Sequence, residues 1–396
     1  MSGNTPPYKH DPVTANVAIA DRMVNFSHHQ AVARENGIRS FSTGYGFTEP
    51  SANIIWAVNK VLDTDCLFST LNSRLGLPDH MLNELPEEPA LIGNAFTFEK
   101  EHADLFGGKQ IAQVGVYYSS DTRDHTFFGN LHKGYYKDYA MTLRTFFGAG
   151  ISANTIFSFP ENTDEYAVVV VPSAVVMNDA DVAAMRRYIS VGGKVMFSGP
   201  SCFAECKSEW KLPSRPELEK PEDFFDTIAY GVWHKHAEWV LNTEIEPSKE
   251  SCEWKNVAEG MMYNPHRMAD GQIGQSMVDF VRQYAKKLPV EVLSSRGYLI
   301  TMFEKEDGIT VHFLAEDYDT DIDHKLDEMR FHRSRVNYVN KVEPIGVDRV
   351  VTVRSDSKLT VYTPFNEAVT DVCLQDGVYK ITLPEKTSYA IMKFLK

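Results

Sequence analysis

Cysteine is scarce in this chain. Five occur in 396 residues, namely Cys66, Cys202, Cys206, Cys252 and Cys373. Their odd number and irregular spacing argue against a disulfide framework and for a reducing compartment. No second Cys or His pair stands at zinc-finger distance from Cys202 and Cys206, so these read as ordinary thiols and no metal is expected. Long apolar runs are also missing, since none approaches the ~20 residues that span a bilayer. The first residues, MSGNTPPYKHDPVTANV, lack the basic and apolar regions of a signal peptide, which makes the cytoplasm the expected location. Positive charge is in deficit, with 40 Lys and Arg against 54 Asp and Glu and a net charge of −14. That leaves no field to attract nucleic acid or an anionic membrane surface. No G-x-G-x-x-G, Walker loop, internal repeat or low-complexity tract is found, so no cofactor is expected.

What is present is a globular composition, 43% hydrophobic and 12% aromatic, long enough for two or three domains. The clearest segment is 165–203. Val168 to Val171 is a β-branched run suited to a strand buried on both faces. Asn178 then stands at a helix N-cap, and Asp179 and Asp181 load the first turn with negative charge. Val182, Met185 and Ile189 share one face of that helix, Gly192-Gly193 stops it, and Lys194–Phe197 begins another strand. This is a β-α-β unit.

Before it, the spacing predicts helices over Thr14–Glu35, Asn53–Leu62, Phe96–Phe106 and Asn130–Phe147. Strands are expected at Arg39–Phe47, Asp65–Ser69, Ile111–Tyr118 and Asn154–Phe157. The central segment is therefore a doubly wound α/β domain with a parallel sheet of about four strands. Residues 204–265, with Trp210, Trp233 and Trp239, read as irregular, and a helix resumes over Ser276–Leu288. Beyond it, alternating runs separated by Asp307-Gly308 and Asp376-Gly377 predict an antiparallel β-sandwich. The acid-rich stretch Asp317–Asn337 is expected to be an exposed loop. Its alternating Asp317, Asp319, Asp321 and Asp323 lack the Gly and Glu of a calcium loop.

The segments YAVVVVPSAVVMNDADVAAMRRYISVGGKVMFSGPS, QVGVYYSSDT and HKGYYKDYAMTLRTFFGAGISANTIF resemble the trimerisation domain of family 42 β-galactosidases. The resemblance covers residues 96–203. It implies a flavodoxin-like fold, related to class I glutamine amidotransferases, that follows a catalytic barrel and precedes a small β domain. The implied division is a partial (β/α) barrel-like segment over 1–106, the flavodoxin-like domain over 107–289 and a β-sandwich over 290–396. RSFSTGYGFTEP would then be a late barrel strand, and Glu49 would stand where such enzymes carry the carboxylate nucleophile. A retaining glycosidase needs a second carboxyl about 5–5.5 Å away, from an earlier strand that no segment here supplies.

Around Glu49, the residues His28, His29, Tyr45 and Trp56 offer the aromatic and polar groups of a sugar site. The alternative is a helix-entry turn with Pro50 at the first helical position. Asp121, Arg123, Asp124 and His125 follow the first central strand, where parallel sheets bind ligands. SGPSCF places Cys202 after a strand like a nucleophile elbow, but Pro200 sits inside the turn and no second Gly follows. The leading expectation is an accessory protein that oligomerises or completes a glycosidase barrel supplied by another chain. The resemblance thus implies a homo-oligomer or a hetero-complex with a barrel-containing glycosidase subunit, and a carbohydrate ligand. The alternatives are an active glycoside hydrolase subunit using Glu49 and an amidotransferase-like cysteine hydrolase using Cys202.

Overall fold

A computed structural model describes residues 18–45, 49–69, 88–126, 131–172, 174, 176–198, 204–205, 272–326, 335–369 and 371–396. The chain divides into two compact units, residues 1–111 with 289–396 and residues 112–288. The segments 1–106 and 290–396, separate in the sequence reading, thus share one unit.

The first unit opens with α1 (Ala18–Glu35), which ends where Gly37 takes φ +62° and Ile38 N–H donates to the Ala33 carbonyl at 2.9 Å. Strand β1 (Phe41–Tyr45), helix α2 (Glu49–Lys60) and strand β2 (Asp65–Ser69) form a β-α-β unit, with Phe41 opposite Asp65 in a parallel pair. Asn59, buried on α2, fastens the three together. Its side-chain oxygen accepts from Ser42 of β1 and from Thr64 at 2.9 Å, and its amide donates to the Ile55 carbonyl at 2.8 Å. Helix α3 (Glu88–Glu101) starts earlier than its apolar spacing implies, because Pro89 fits the first turn, where its missing N–H has no partner to lose.

The expected strand 111–118 is two strands. β3 (Lys109–Ile111) belongs to the first unit, and β4 (Val114–Tyr117) opens the second. Short helix α4 (Ser120–Thr126) and helix α5 (Leu131–Gly148) follow, then β5 (Ala153–Ile156), β6 (Val168–Pro172) and β7 (Val176–Met177). Helix α6 (Asp179–Ser190), β8 (Lys194–Ser198), β9 (Ala204–Glu205) and α7 (Gln272–Tyr284) complete the second unit. Its sheet has the order β5-β4-β6-β8, and all pairs are parallel.

Val168 to Val171 are fully buried, each side chain contributing about 1.5–3 kcal/mol of hydrophobic stabilisation. Val169 and Val171 face α6 with Tyr117, Val182, Met185 and Tyr188. Tyr188 also explains the glycine pair. Gly192 has φ +97° and ends α6, whereas a Cβ on Gly193 would run into the Tyr188 ring.

The chain then returns to the first unit. β10 (Glu291–Ser294), β11 (Tyr298–Lys305), β12 (Gly308–Ala315), β13 (Asp317–Leu326), β14 (Arg335–Ile345), β15 (Val350–Arg354), β16 (Lys358–Tyr362), β17 (Asp371–Gln375), β18 (Val378–Thr382) and β19 (Tyr389–Leu395) follow in order. A four-stranded sheet, β10-β15-β18-β17, and a five-stranded sheet, β16-β19-β12-β11-β3, make a sandwich-like region. Tyr379 of one sheet meets Phe394 of the other, ring centroids 6.1 Å apart.

The stretch 317–337 corrects the expectation of a loop. Its described part forms β13 and the start of β14, antiparallel from Asp317↔Ile345 to Leu326↔Arg335, with the register shifting by one residue at a bulge between Asp321 and Ile322. The alternation of Asp with Tyr318, Thr320 and Ile322 has the two-residue strand period, and Tyr318 is buried. The turn before β12 is also shifted. Lys305 pairs with Gly308, so the loop is Glu306-Asp307, and Gly308 is needed because a Cβ there would strike the Phe394 carbonyl.

Candidate functional site

Parallel sheets bind ligands beyond the carboxyl ends of their strands, where the strand order reverses. In the second unit that place lies between β4 and β6, because β5 is laid on one side of β4 and β6 on the other. Four side chains converge there. Asn178 caps α6 with φ −75° and ψ 165°, its Oδ1 accepting from the Asp181 N–H at 2.8 Å. Its amide nitrogen is then free to donate twice, to Asp121 Oδ2 at 2.7 Å and Asp181 Oδ2 at 2.9 Å. Tyr117, the last residue of β4, donates its hydroxyl to the same Asp181 oxygen at 2.8 Å.

Burial raises the Asp181 pKa above the usual carboxylate range. The Asp121 charge adds to the rise, while the bonds from Tyr117 and Asn178 oppose it. One amide thus bridges two carboxyl groups, a polar cluster suited to hydroxyl or amide ligands.

Of the residues the sequence placed here, Asp121 joins the cluster from the first turn of α4. Arg123 lies two residues further along α4, about 200° round the helix from Asp121, and is half-buried. Asp124 and His125 lie on the α4 backbone, and their side chains are outside the described residues. Asp181 and Asn178 were legible only as a helix start. Nothing in the linear sequence ties them to Asp121, 57 positions from Asn178.

Glu49 occupies the first turn of α2, beyond the carboxyl end of β1, and its exposed carboxylate accepts from Asn94 Nδ2 at 2.9 Å. Trp56, two turns further along, is fully buried. Its ring meets Phe98, Phe106, Phe365 and Tyr389 with centroids 5.5–6.2 Å away, and its indole N–H donates to Glu99 Oε2 at 2.7 Å. Lys60, also buried, holds the other Glu99 oxygen at 2.6 Å. Trp56 is therefore a core residue and offers no open face for a sugar. His28 is half-buried and His29 exposed on α1, their rings 6.3 Å apart and inclined at 64°. The Tyr45 side chain and Cys202 lie outside the described residues, as do Cys206, Cys252, His234, His236 and the tryptophans of 210–239. Among the described residues no group of three or more His, Cys, Asp or Glu could hold a metal ion, and no helix is long and apolar enough to cross a membrane.

No protein-family profile and no curated protein sequence matches the chain. Solved structures do. Alpha-L-fucosidase isoenzyme 2 from Paenibacillus thiaminolyticus matches 94% of this chain and 63% of its own, with a TM-score of 0.52 and 14% identity. Gan42B, a GH42 β-galactosidase from G. stearothermophilus, matches 96% of this chain and 57% of its own, with a TM-score of 0.50 and 10% identity. The β-galactosidase from Bacillus circulans sp. alkalophilus matches 94% and 58%, with a TM-score of 0.50 and 8% identity. The chain spans about three fifths of the length of these glycosidases, and what it shares with them is the fold.

Proposed function

We propose that this chain is a glycosidase-related protein whose β1-α2-β2 unit completes a (β/α) barrel with strands supplied from outside the described residues. On this reading the flavodoxin-like second unit and the β-sandwich serve assembly. The supporting observation is the condition of the parallel pair. α2 covers one face, where Ser42 and Cys66 point. The opposite face carries Phe41, 67% exposed, and Leu67, 54% exposed. Among the described residues, neither strand pairs with a third. A two-stranded sheet is marginal alone, whereas in a closed barrel the helix-covered face is the outside and the bare face lines the packed interior.

A second reading is favoured by Glu49. An exposed carboxylate at the carboxyl end of such a strand stands where barrel enzymes carry catalytic groups. Glu49 would then be one carboxylate of the pair and the added barrel strands would bring the other.

The test is to purify the tagged chain from its native cells with whatever barrel-bearing chain accompanies it. Aryl β-galactosides and aryl α-L-fucosides are then assayed with the chain alone and with the assembly. The first reading expects activity in the assembly alone. Loss of that activity in Glu49→Gln selects the second reading, and unchanged activity discards it. Hydrolysis by the isolated chain that survives Phe41→Asp and Leu67→Asp would refute barrel completion.

A further inference from the structure

Strand β17 lies at the edge of the four-stranded sheet, and among the described residues its outer side pairs with no strand. Edge strands are usually blunted by Lys, Pro, a bulge or a covering loop. This one, Asp-Val-Cys-Leu-Gln, carries neither Lys nor Pro. It runs against β18 without a bulge from Asp371↔Thr382 to Gln375↔Val378, and all five residues are exposed. Val372 and Leu374 are 42% and 55% exposed. They stand opposite Ile381 and Tyr379, both buried, so they lie on the core-facing side of the sheet where its cover runs out.

The turn sets the register of the open edge. Asp376 and Gly377 have φ +51° and +72°, a two-residue type I′ turn. The residues that flank such a turn, Gln375 and Val378, exchange both hydrogen bonds, and bonded and non-bonded pairs then alternate. The backbone groups of Val372 and Leu374 therefore point outward, and those of Cys373 point toward β18.

We propose that this edge pairs antiparallel with the same edge of a second copy of the chain, on a two-fold axis at Cys373. The occupant follows from the order of the residues, which is palindromic in character: polar, apolar, thiol, apolar, polar. Under the two-fold, Val372 meets Leu374 of the second copy, and the outward backbone groups of both satisfy each other. Four apolar side chains gather on one face. Asp371, the strand's one charge, meets Gln375, so no like charges oppose. A two-fold contact of this kind is self-complementary and closed. Cys373 faces its own copy in a non-hydrogen-bonded pair, with Cα atoms about 4.5 Å apart, inside the disulfide range of about 4.4–6.8 Å. The thiol serves as a reporter of the register, and the pairing itself needs no disulfide. The contact is independent of the barrel reading, which concerns β1 and β2.

Five residues a side make a small interface, so the dimer is expected to be weak and reversible. Sedimentation of the full chain under reducing conditions, over about 5–500 µM, should show the mass rise from 44.8 kDa toward twice that value. Val372→Lys with Leu374→Lys should lower the association constant at least tenfold and leave the melting transition in place. Diamide, which takes two electrons and two protons from the two thiols, should link the parent through Cys373–Cys373, as identified by peptide mass spectrometry. The Cys373→Ser chain should still dimerise. A mass that stays monomeric throughout, an association unchanged by the two lysines, or a cross-link that bypasses Cys373 would each overturn the pairing. The cross-link decides the matter alone if the double variant fails to fold. None of these results bears on barrel completion, which is read by activity.

Discussion

Acidification from pH 7.5 to pH 5 should destabilise the first unit by about 2 kcal/mol through His312 alone. The ring of His312 is fully enclosed, with Phe303, Phe106 and Tyr389 centroids 5.2–6.1 Å away. Nδ1 lies 2.6 Å from the Tyr389 hydroxyl, and Nε2 meets no partner at full hydrogen-bonding geometry. Burial lowers its pKa from 6.5 to about 3, the Lys305 ammonium adds to the fall, and the Leu105 backbone opposes both. The folded ring therefore refuses a proton that the unfolded chain accepts below pH 6.5. Its contribution is complete above pH 6.5 and is lost as pH falls toward 3, at about 1.4 kcal/mol per unit.

The comparison is the parent against His312→Gln, which keeps a side chain able to bond Tyr389 but cannot titrate. Urea unfolding at both pH values, with hydrogen exchange of β11, β12 and β19 peptides as the local readout, isolates the difference. The parent should lose about 2 kcal/mol more than the variant. Equal losses in the two chains would refute the argument, because the pH dependence would then belong to other groups.

Three further outcomes follow from buried geometry. Glu99→Ala should cost about 3 kcal/mol, because it leaves the Lys60 ammonium and the Trp56 N–H buried without the carboxylate that holds both; chemical denaturation measures it. Gly308→Ala should cost about 1–3 kcal/mol, since the new methyl meets the Phe394 carbonyl, a backbone atom that cannot rotate away; a fall in melting temperature checks it. Asn178→Ala should cost about 1–2 kcal/mol by removing the α6 cap. It should also push the Asp181 pKa further up, because a donor to that carboxylate is lost, and carbon-13 NMR titration reads the shift.

How far the candidate site could be read in advance differs from residue to residue. Asp121 was accessible because a polar residue just past a buried strand falls at a sheet's carboxyl edge whatever the rest of the fold does. Asp181 was accessible only as a charge in a helix's first turn, since its bond to Tyr117 joins residues 64 apart. Glu49 followed from Pro50 and the strand before it, and its bond to Asn94 did not. Trp56 shows the opposite failure. Near Glu49 in sequence it suggested a sugar platform, yet its position on α2 turns it into an aromatic core built from α3 and β19.

The sequence by itself determined the β-α-β unit around Val168–Val171, the Asn178 cap, the α6 stop and the Asp376-Gly377 hairpin. Each depends on side-chain period, local hydrogen bonds or a positive φ, all properties of a few neighbouring residues. Tertiary structure alone decided that the strand predicted over 111–118 breaks so that β3 pairs with β11 while β4 enters the parallel sheet. It alone buried His312, left Phe41 and Leu67 bare, and left β17 at an edge. These outcomes depend on which distant strands become neighbours, a choice made by packing over the whole chain that no local pattern records.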